Sequence, residues 1–223
     1  MRTIFRTLPL SLSGVILGIT LAAADYRVDW KVAVLLLLAV TFLHMYSVSS
    51  KEIQDSRLSG ISLALTIASG LAMLYFSFGT LLLMEPLILL VFGYMIIRAV
   101  RHTNFISRGK GIVYVFALFG LLGVMGSYYV CSHSFGGWPM IFPALSMGFL
   151  SVAAKADDDK TVLRLVLNVA GWAAMIAYAC LRMFDLWHFL FLASLPVFFL
   201  KKPQWPPFAF AVLTGLGFLA FLL

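Results

Sequence analysis

The chain has 223 residues, of which 62% are hydrophobic and 11% are charged, and its formal net charge is +7. This composition excludes most soluble classes, because a water-facing surface would lack polar side chains, and it predicts an all-α integral membrane protein. At roughly 20 residues for each transmembrane helix, the length allows eight or nine helices in a single domain, residues 1–223. The basic residues lie in short segments between apolar runs, which favours a lipid bilayer over nucleic acid as their partner.

Nine apolar runs, taken in chain order, predict a bundle of about nine transmembrane helices. The first run follows Arg2 and Arg6 and ends in three alanines, as a secretory signal does. We expect this run to remain as a transmembrane helix rather than to be cleaved. Leu8-Pro9 suits a helix N-terminus, and the count of spans is consistent only if this run is one of them. The predicted spans are residues 8–24, 32–50, 59–76, 80–97, 112–131, 138–154, 161–184, 186–200 and 208–223.

The fifth run differs from the others in its small residues. Gly120, Gly123, Gly126 and Ser127 follow one another at spacings of three and one. Small residues at such spacing let helix backbones approach closely in lipid, where packing rather than hydrophobicity drives helix association. The pattern therefore predicts that this span is a tightly packed central helix.

Two cysteines, Cys131 and Cys180, are too few for a disulfide scaffold, and they lack the C-x-x-C spacing of zinc or redox sites. Both are predicted to lie near the outer ends of helices. A single bridge between them is one possibility. The alternative is that both are small apolar core residues.

The distribution of basic residues predicts the orientation of the chain. With the N-terminus in the cytoplasm, all of the 16 lysines and arginines lie on the inner side except Arg27, Lys31 and Arg182. Positive charge is concentrated on the cytoplasmic side of membrane proteins, and adding or removing one span would destroy this bias. The charge distribution therefore supports nine spans independently of hydropathy.

Two acidic residues follow the second predicted span, in the stretch 44–60 (HMYSVSSKEIQDSRLSG). Glu52 and Asp55 are three residues apart, which places both on one face of a helix. Carboxylates at a membrane boundary are costly to desolvate, and they commonly hold a cation, a metal-bound phosphate or a helix end. Two interpretations are open: a pair of ligands, or a turn in which Asp55 or Ser56 caps the third helix.

A second acidic segment follows the sixth span, and the orientation places both segments on the cytoplasmic face. Together they predict a shared Mg²⁺ site with Glu52, Asp55, Asp157 and Asp158 as ligands, because oxygen ligands suit this ion. Basic side chains are predicted to bind a diphosphate there: Lys51, Arg98, Arg101, Lys110 and Lys160. The alternatives are that residues 157–159 complement the dipole of the seventh helix and that the basic loop reflects topology and anionic lipid.

His44 lies roughly two turns before Glu52 and is predicted to face the same cavity, with Tyr128 of the fifth span as a further pocket residue. A histidine satisfied inside the helix bundle is the alternative. A transporter that uses His44 and Glu85, an acid inside the fourth run, is a weaker hypothesis. No pair of Gly- or Pro-interrupted helices repeats between the two halves of the sequence.

Several segments resemble the UbiA-type intramembrane prenyltransferases, and among them the 1,4-dihydroxy-2-naphthoate polyprenyltransferases of menaquinone biosynthesis. They are Arg6-Thr-Leu-Pro9 with Gly18, residues 35–56, residues 144–151 (ALSMGFLS) and, most specifically, residues 109–135 (GKGIVYVFALFGLLGVMGSYYVCSHSF). The resemblance implies Mg²⁺-dependent transfer of a prenyl group from a prenyl diphosphate to an aromatic acceptor such as dihydroxynaphthoate. It also implies that Glu52 and Asp55 are catalytic. We expect a multi-pass protein of a bacterial-type inner (plasma) membrane.

The acidic motifs depart from this family. Val48 and Lys51 stand where its first motif has asparagines, and its second motif is shortened to residues 155–161 (KADDDKT). A lysine beside Glu52 can neutralise the carboxylate and weaken metal binding. A second hypothesis is therefore a catalytically silent relative that binds an isoprenoid lipid or quinone, or that serves as a subunit of a membrane complex.

Overall fold

A computed structural model describes residues 2–50, 55–76, 110–156, 161–182, 186–199 and 205–220. Within these ranges every regular element is helical, as the composition predicts. The α-helices are α1 (Arg2–Asp25), α2 (Trp30–Val48), α3 (Ser56–Phe76), α4 (Lys110–Phe116), α5 (Ser127–Ser132), α6 (Ile141–Lys155), α7 (Thr161–Leu181) and α8 (Trp205–Ala220).

Three further helical segments have a different winding. A π-helix, Ala117–Gly126, joins α4 to α5, so that residues 110–132 form one continuous rod, the composite helix. Short and long 3₁₀-helices, Trp138–Met140 and Leu186–Phe199, precede α6 and α8. At about 2.0 Å of rise per residue, the long 3₁₀-helix extends about 28 Å, close to the thickness of the hydrocarbon core of a bilayer.

Five helices of the described part are long and apolar enough to cross a membrane, by length and composition. They are Leu8–Asp25, Trp30–Val48, Ser56–Met73, Ile112–Ser132 and Thr161–Leu181. They correspond to the first, second, third, fifth and seventh predicted spans, which confirms that the described part of the chain is all-helical and has several candidate membrane crossings. Residues 80–97 lie outside the described ranges, and the other three predicted spans coincide with shorter helices. The count of nine stays a prediction.

The surface of α3 and α7 is suited to lipid. Ile61 and Leu71 on α3 are 60% and 62% exposed, and Val162 and Leu165 on α7 are 76% and 63% exposed. Apolar side chains exposed in this number would be costly in water and are typical of a surface that meets a membrane. The C-terminal half of α7 contributes to the core, where Trp172, Met175 and Tyr178 are buried.

The core is centred on α1, which packs against α2, the composite helix and α8. Leu10, Leu17 and Leu21 of α1 are almost completely buried. On the far side of the composite helix, α6 packs against it and carries α7 on its other face. The composite helix therefore lies between α1 and α6, as the prediction of a central helix requires.

Glycines allow this close packing. A Cβ added to Gly18 of α1 would overlap Ser127 Oγ and the Val124 carbonyl oxygen, both on the composite helix. A Cβ added to Gly120 would overlap the Ala144 carbonyl oxygen and lie 2.9 Å from Gly148 Cα, both on α6. Backbones in such contact leave no room for a side chain, so the predicted tight packing of the fifth span is confirmed.

The two cysteines are both free thiols. Cys131 on α5 is buried, as expected of a small core residue, whereas Cys180 on α7 is exposed. The structure therefore contains neither the bridge nor a pair of core cysteines.

Candidate functional site

Asp55 begins α3. Its Oδ1 accepts hydrogen bonds from the backbone amides of Arg57, at 2.9 Å, and Leu58, at 3.1 Å. These amides are two of the donors that the first turn of a helix leaves unpaired, and an N-cap carboxylate satisfies them. The capping interpretation of Asp55 is therefore confirmed, and the side chain remains exposed while it caps.

Hydrogen bonds of Ser49 place this cap near the end of α2. Ser49, just after α2, donates its hydroxyl to the carbonyl oxygens of Met45, at 2.6 Å, and Tyr46, at 3.2 Å. The Asp55 amide in turn donates to the Ser49 carbonyl oxygen at 3.3 Å. The carboxylate consequently stands beside the last turn of an apolar helix, where the sequence predicts the metal site.

Most of the other predicted site residues lie outside the described ranges. These are the metal ligands Glu52, Asp157 and Asp158 and the basic residues Lys51, Arg98, Arg101 and Lys160; Lys110 begins α4, but its side chain is also outside. Among the residues that the structure does describe, no group of three or more His, Cys, Asp or Glu side chains could hold a metal ion. The four-ligand site stays a prediction.

His44 pairs with α1. Its Nδ1 lies 2.8 Å from Ser11 Oγ, and both side chains are half-buried between α1 and α2. His44 is four residues before the end of α2 at Val48, which is about 6 Å along the helix axis. The residue is thus in the same half of the bundle as Asp55, and its predicted role in a pocket stays a prediction.

Tyr128 lies at the opposite end of the bundle. Its hydroxyl donates to Asp25 Oδ2 at 2.7 Å. Ser11 and Asp25 are separated along α1 by about 21 Å, given 1.5 Å of rise per residue. Tyr128 and His44, which the sequence predicts as residues of one pocket, therefore bind to opposite halves of α1.

Asp25 also forms an ion pair with Arg182, through its Oδ1 and the Nη2 of the arginine. The Asp25 side chain is 10% exposed and that of Arg182 is 38% exposed. Partial burial lowers the pKa of the Arg182 guanidinium, which nevertheless stays charged because its ordinary pKa lies far above neutrality. Asp25 thus has a charged partner on one oxygen and a phenol on the other.

Two neighbours complete this arrangement. Tyr26 packs edge-to-face on Tyr128, with ring centroids 6.3 Å apart, and its hydroxyl donates to Ser134 Oγ at 3.3 Å. We call Asp25, Tyr26, Tyr128, Ser134 and Arg182 the Asp25 cluster. It joins the ends of α1, α5 and α7 with the turn that follows α5.

The chain matches no family model, no curated protein and no solved structure. The resemblance to UbiA-type prenyltransferases therefore stays a prediction from the segments that carry it. The described structure places one of the predicted metal ligands, Asp55, next to the end of α2, where its amide donates to the Ser49 carbonyl oxygen.

The cap at Asp55 can be separated from any other role by two substitutions. We expect Asp55→Ala to lower the free energy of unfolding by about 1 kcal/mol, because two amides of α3 lose their acceptor, and Asp55→Asn to leave it nearly unchanged. Denaturation of the purified protein in detergent micelles measures both values. Asp29, whose side chain accepts from the Lys31 amide at 2.9 Å at the start of α2, offers a matched pair of variants. Equal stability of Asp55→Ala and wild type would contradict the cap.

Proposed function

We propose that this protein is a UbiA-type intramembrane aromatic prenyltransferase, transferring a prenyl group from a prenyl diphosphate to an aromatic acceptor such as dihydroxynaphthoate. The observation that carries the proposal is the exposed Asp55 carboxylate at the end of α2. Asp55 lies within segment 35–56, which resembles this family. It is also at a membrane boundary, where desolvating a carboxylate is costly unless the group binds a partner. The helical bundle with a glycine-packed composite helix agrees with the resemblance of residues 109–135.

The topology belongs to the same proposal. The protein has nine spans with a cytoplasmic N-terminus, in a bacterial-type plasma membrane. Asp55 then faces the cytoplasm, where a charged diphosphate is available, and the apolar chain of the donor extends between the helices. The Asp25 cluster lies on the outer side.

Asp55 fits Mg²⁺ by its donor chemistry, because this ion prefers carboxylate oxygens. The ligands would be Asp55 with Glu52, Asp157 and Asp158, and Mg²⁺ when bound would stabilise the charge of the departing diphosphate. The two amides on Oδ1 keep the Asp55 carboxylate in one orientation. In the reaction, the allylic C–O bond breaks with its electron pair on the diphosphate, the aromatic carbon attacks the cation, and the acceptor then loses a proton.

The second candidate is a catalytically silent relative that binds an isoprenoid lipid or a quinone, or that is a subunit of a membrane complex. The structure gives one observation in its favour: the Asp55 carboxylate already has a structural task as the cap of α3. Lys51, next to Glu52 in the sequence, favours the same candidate, because a fixed cation competes with a metal ion.

Asparagine at position 55 tests the proposal, because it keeps the cap and removes the charge. With Mg²⁺, a prenyl diphosphate and dihydroxynaphthoate, we expect the wild type to form prenylated product and Asp55→Asn to form it at least about a hundredfold more slowly. Mass spectrometry of the extracted lipid measures the rate.

The matched control is Asp29→Asn, the same substitution at the cap of α2, which should leave the rate unchanged. Full activity of Asp55→Asn would remove Asp55 from the site. An inactive wild type that retains an isoprenoid lipid or quinone through purification would support the silent relative instead.

A further inference from the structure

The Asp25 carboxylate connects three helices that are distant in sequence. It ends α1, it accepts the Tyr128 hydroxyl of α5 at 2.7 Å on Oδ2, and it pairs with Arg182, the first residue after α7, on Oδ1. Each oxygen is thus used by a different helix. A carboxylate that is only 10% exposed needs such partners, because an unpaired buried charge is strongly unfavourable.

The ion pair between Asp25 and Arg182 connects α7 directly to α1. Helix α7 packs mainly on α6, on the far side of the composite helix from α1. Arg182 reaches from the end of α7 to the end of α1, and so it adds a polar link to the packing of Tyr178 of α7 on Phe218 of α8. Tyr128, which is 1% exposed, donates its hydroxyl to the same Asp25 carboxylate.

The turn after α5 covers the cluster. Gly136 has a φ of 68°, a backbone conformation that glycine adopts without strain, and a Cβ there would lie 2.8 Å from the Tyr128 ring. Together with the contact between Tyr26 and Ser134, this turn closes over the buried phenol. The cluster and the turn therefore cover the Tyr128 side chain at this end of the described helices.

We propose that the Asp25 cluster is a latch that closes this end of the bundle, and that breaking the Asp25–Arg182 pair releases the end of α7 and opens the interior below Tyr128. The latch depends on charge, because Arg182 has no other carboxylate partner among the residues that the structure describes. It does not depend on the proposed enzymatic function, since it lies at the opposite end of α1 from the half that contains His44 and Asp55.

The reactivity of the two native cysteines measures whether the latch is open, so that no cysteine has to be introduced. Cys131 lies three residues after Tyr128 on α5, on the same side of the helix, and is buried. Cys180 lies two residues before Arg182 and is exposed. Opening of the latch should expose Cys131 and leave Cys180 as an internal standard.

The experiment is alkylation of the full chain in detergent micelles by N-ethylmaleimide at mildly alkaline pH, followed by peptide mass spectrometry. In the wild type we expect Cys180 to react and Cys131 to be protected. In Arg182→Ala we expect Cys131 to react at least about a hundredfold faster, because the carboxylate left behind is buried and unpaired, which shifts the opening equilibrium by that much or more. In Asp25→Asn we expect a smaller increase, because the arginine left behind is 38% exposed. Cys180 should react as in the wild type.

Arg27→Ala, which removes an exposed charge from the turn after Asp25, is the matched control and should keep Cys131 protected. Folded Arg182→Ala and Asp25→Asn proteins with Cys131 as protected as in the wild type would overturn the latch. If these variants unfold, the exchange of charges in Asp25→Arg/Arg182→Asp decides. A folded, protected exchange variant supports the latch, and an unfolded or reactive one overturns it.

Discussion

Replacing Gly18 with alanine is expected to destabilise the bundle strongly, because the added methyl group would overlap a neighbouring helix. The new Cβ would overlap Ser127 Oγ and the Val124 carbonyl oxygen. Ser127 cannot move aside freely, because its hydroxyl already donates to the carbonyl oxygens of Gly123 and Val124. The Val124 oxygen belongs to the backbone and can move only with the whole composite helix.

We therefore expect Gly18→Ala to lower the free energy of unfolding by about 3 kcal/mol, at the upper end of the range for overpacked cores. Unfolding in detergent micelles, followed by circular dichroism, measures the change. Gly18→Val should prevent the accumulation of folded protein, because its two further methyl groups enlarge the same overlap.

Gly60 provides the matched control. It lies in α3, and a Cβ added there would meet nothing within 4 Å. Gly60→Ala should therefore stabilise the protein by about 0.5–1 kcal/mol, because alanine has less backbone freedom to lose in a helix. The two substitutions add the same atom and differ only in what surrounds it. Similar effects at both positions would contradict the contact between α1 and the composite helix.

The glycines also show why part of this fold was predictable from the sequence. Their spacing in residues 120–127 indicates close packing, and long apolar runs indicate membrane spans, because both signals depend on local composition. The winding of Ala117–Gly126 as a π-helix and of Leu186–Phe199 as a 3₁₀-helix has no such local signal. Backbone winding of this kind depends on the neighbours of a helix in space.

At the candidate site, the sequence predicted the place of Asp55 but left its task open. A cap and a metal ligand both require a carboxylate beside a helix end, so residue type and spacing fit either one. The hydrogen bonds from Arg57 and Leu58 establish the cap, and only a functional assay of Asp55→Asn tests the ligand.

The Asp25 cluster was not predicted from the sequence, although the position of Arg182 gave one indication of it. Arg182 is one of the three basic residues that the orientation places on the outer side, against the usual bias of positive charge. An arginine near the outer membrane boundary is stabilised by an acidic partner, and Asp25 is an acidic residue predicted on the same side. Their pairing depends on how α7 sits relative to α1, which the sequence does not specify.

The Asp25–Arg182 pair should respond unequally to the loss of either member. Arg182→Ala leaves behind a carboxylate that is 10% exposed and whose one remaining partner among the described residues is the Tyr128 hydroxyl, so we expect a loss of about 3–5 kcal/mol in the free energy of unfolding. Asp25→Ala leaves behind an arginine that is 38% exposed and can turn its guanidinium to water or lipid headgroups, so its cost should be smaller.

The double variant Asp25→Ala/Arg182→Ala separates the pair from the rest of its surroundings. Because no buried charge remains, its stability should exceed that of Arg182→Ala alone, and the two single effects should not add. Chemical denaturation of all four proteins in the same detergent measures the coupling, with Arg57→Ala, an exposed arginine at the other end of the bundle, as the control for loss of positive charge. Additive effects of the two single substitutions would show that Asp25 does not depend on Arg182 for its buried position. The ion pair would then be a surface contact of little energetic weight, since exposed pairs contribute at most about 1 kcal/mol.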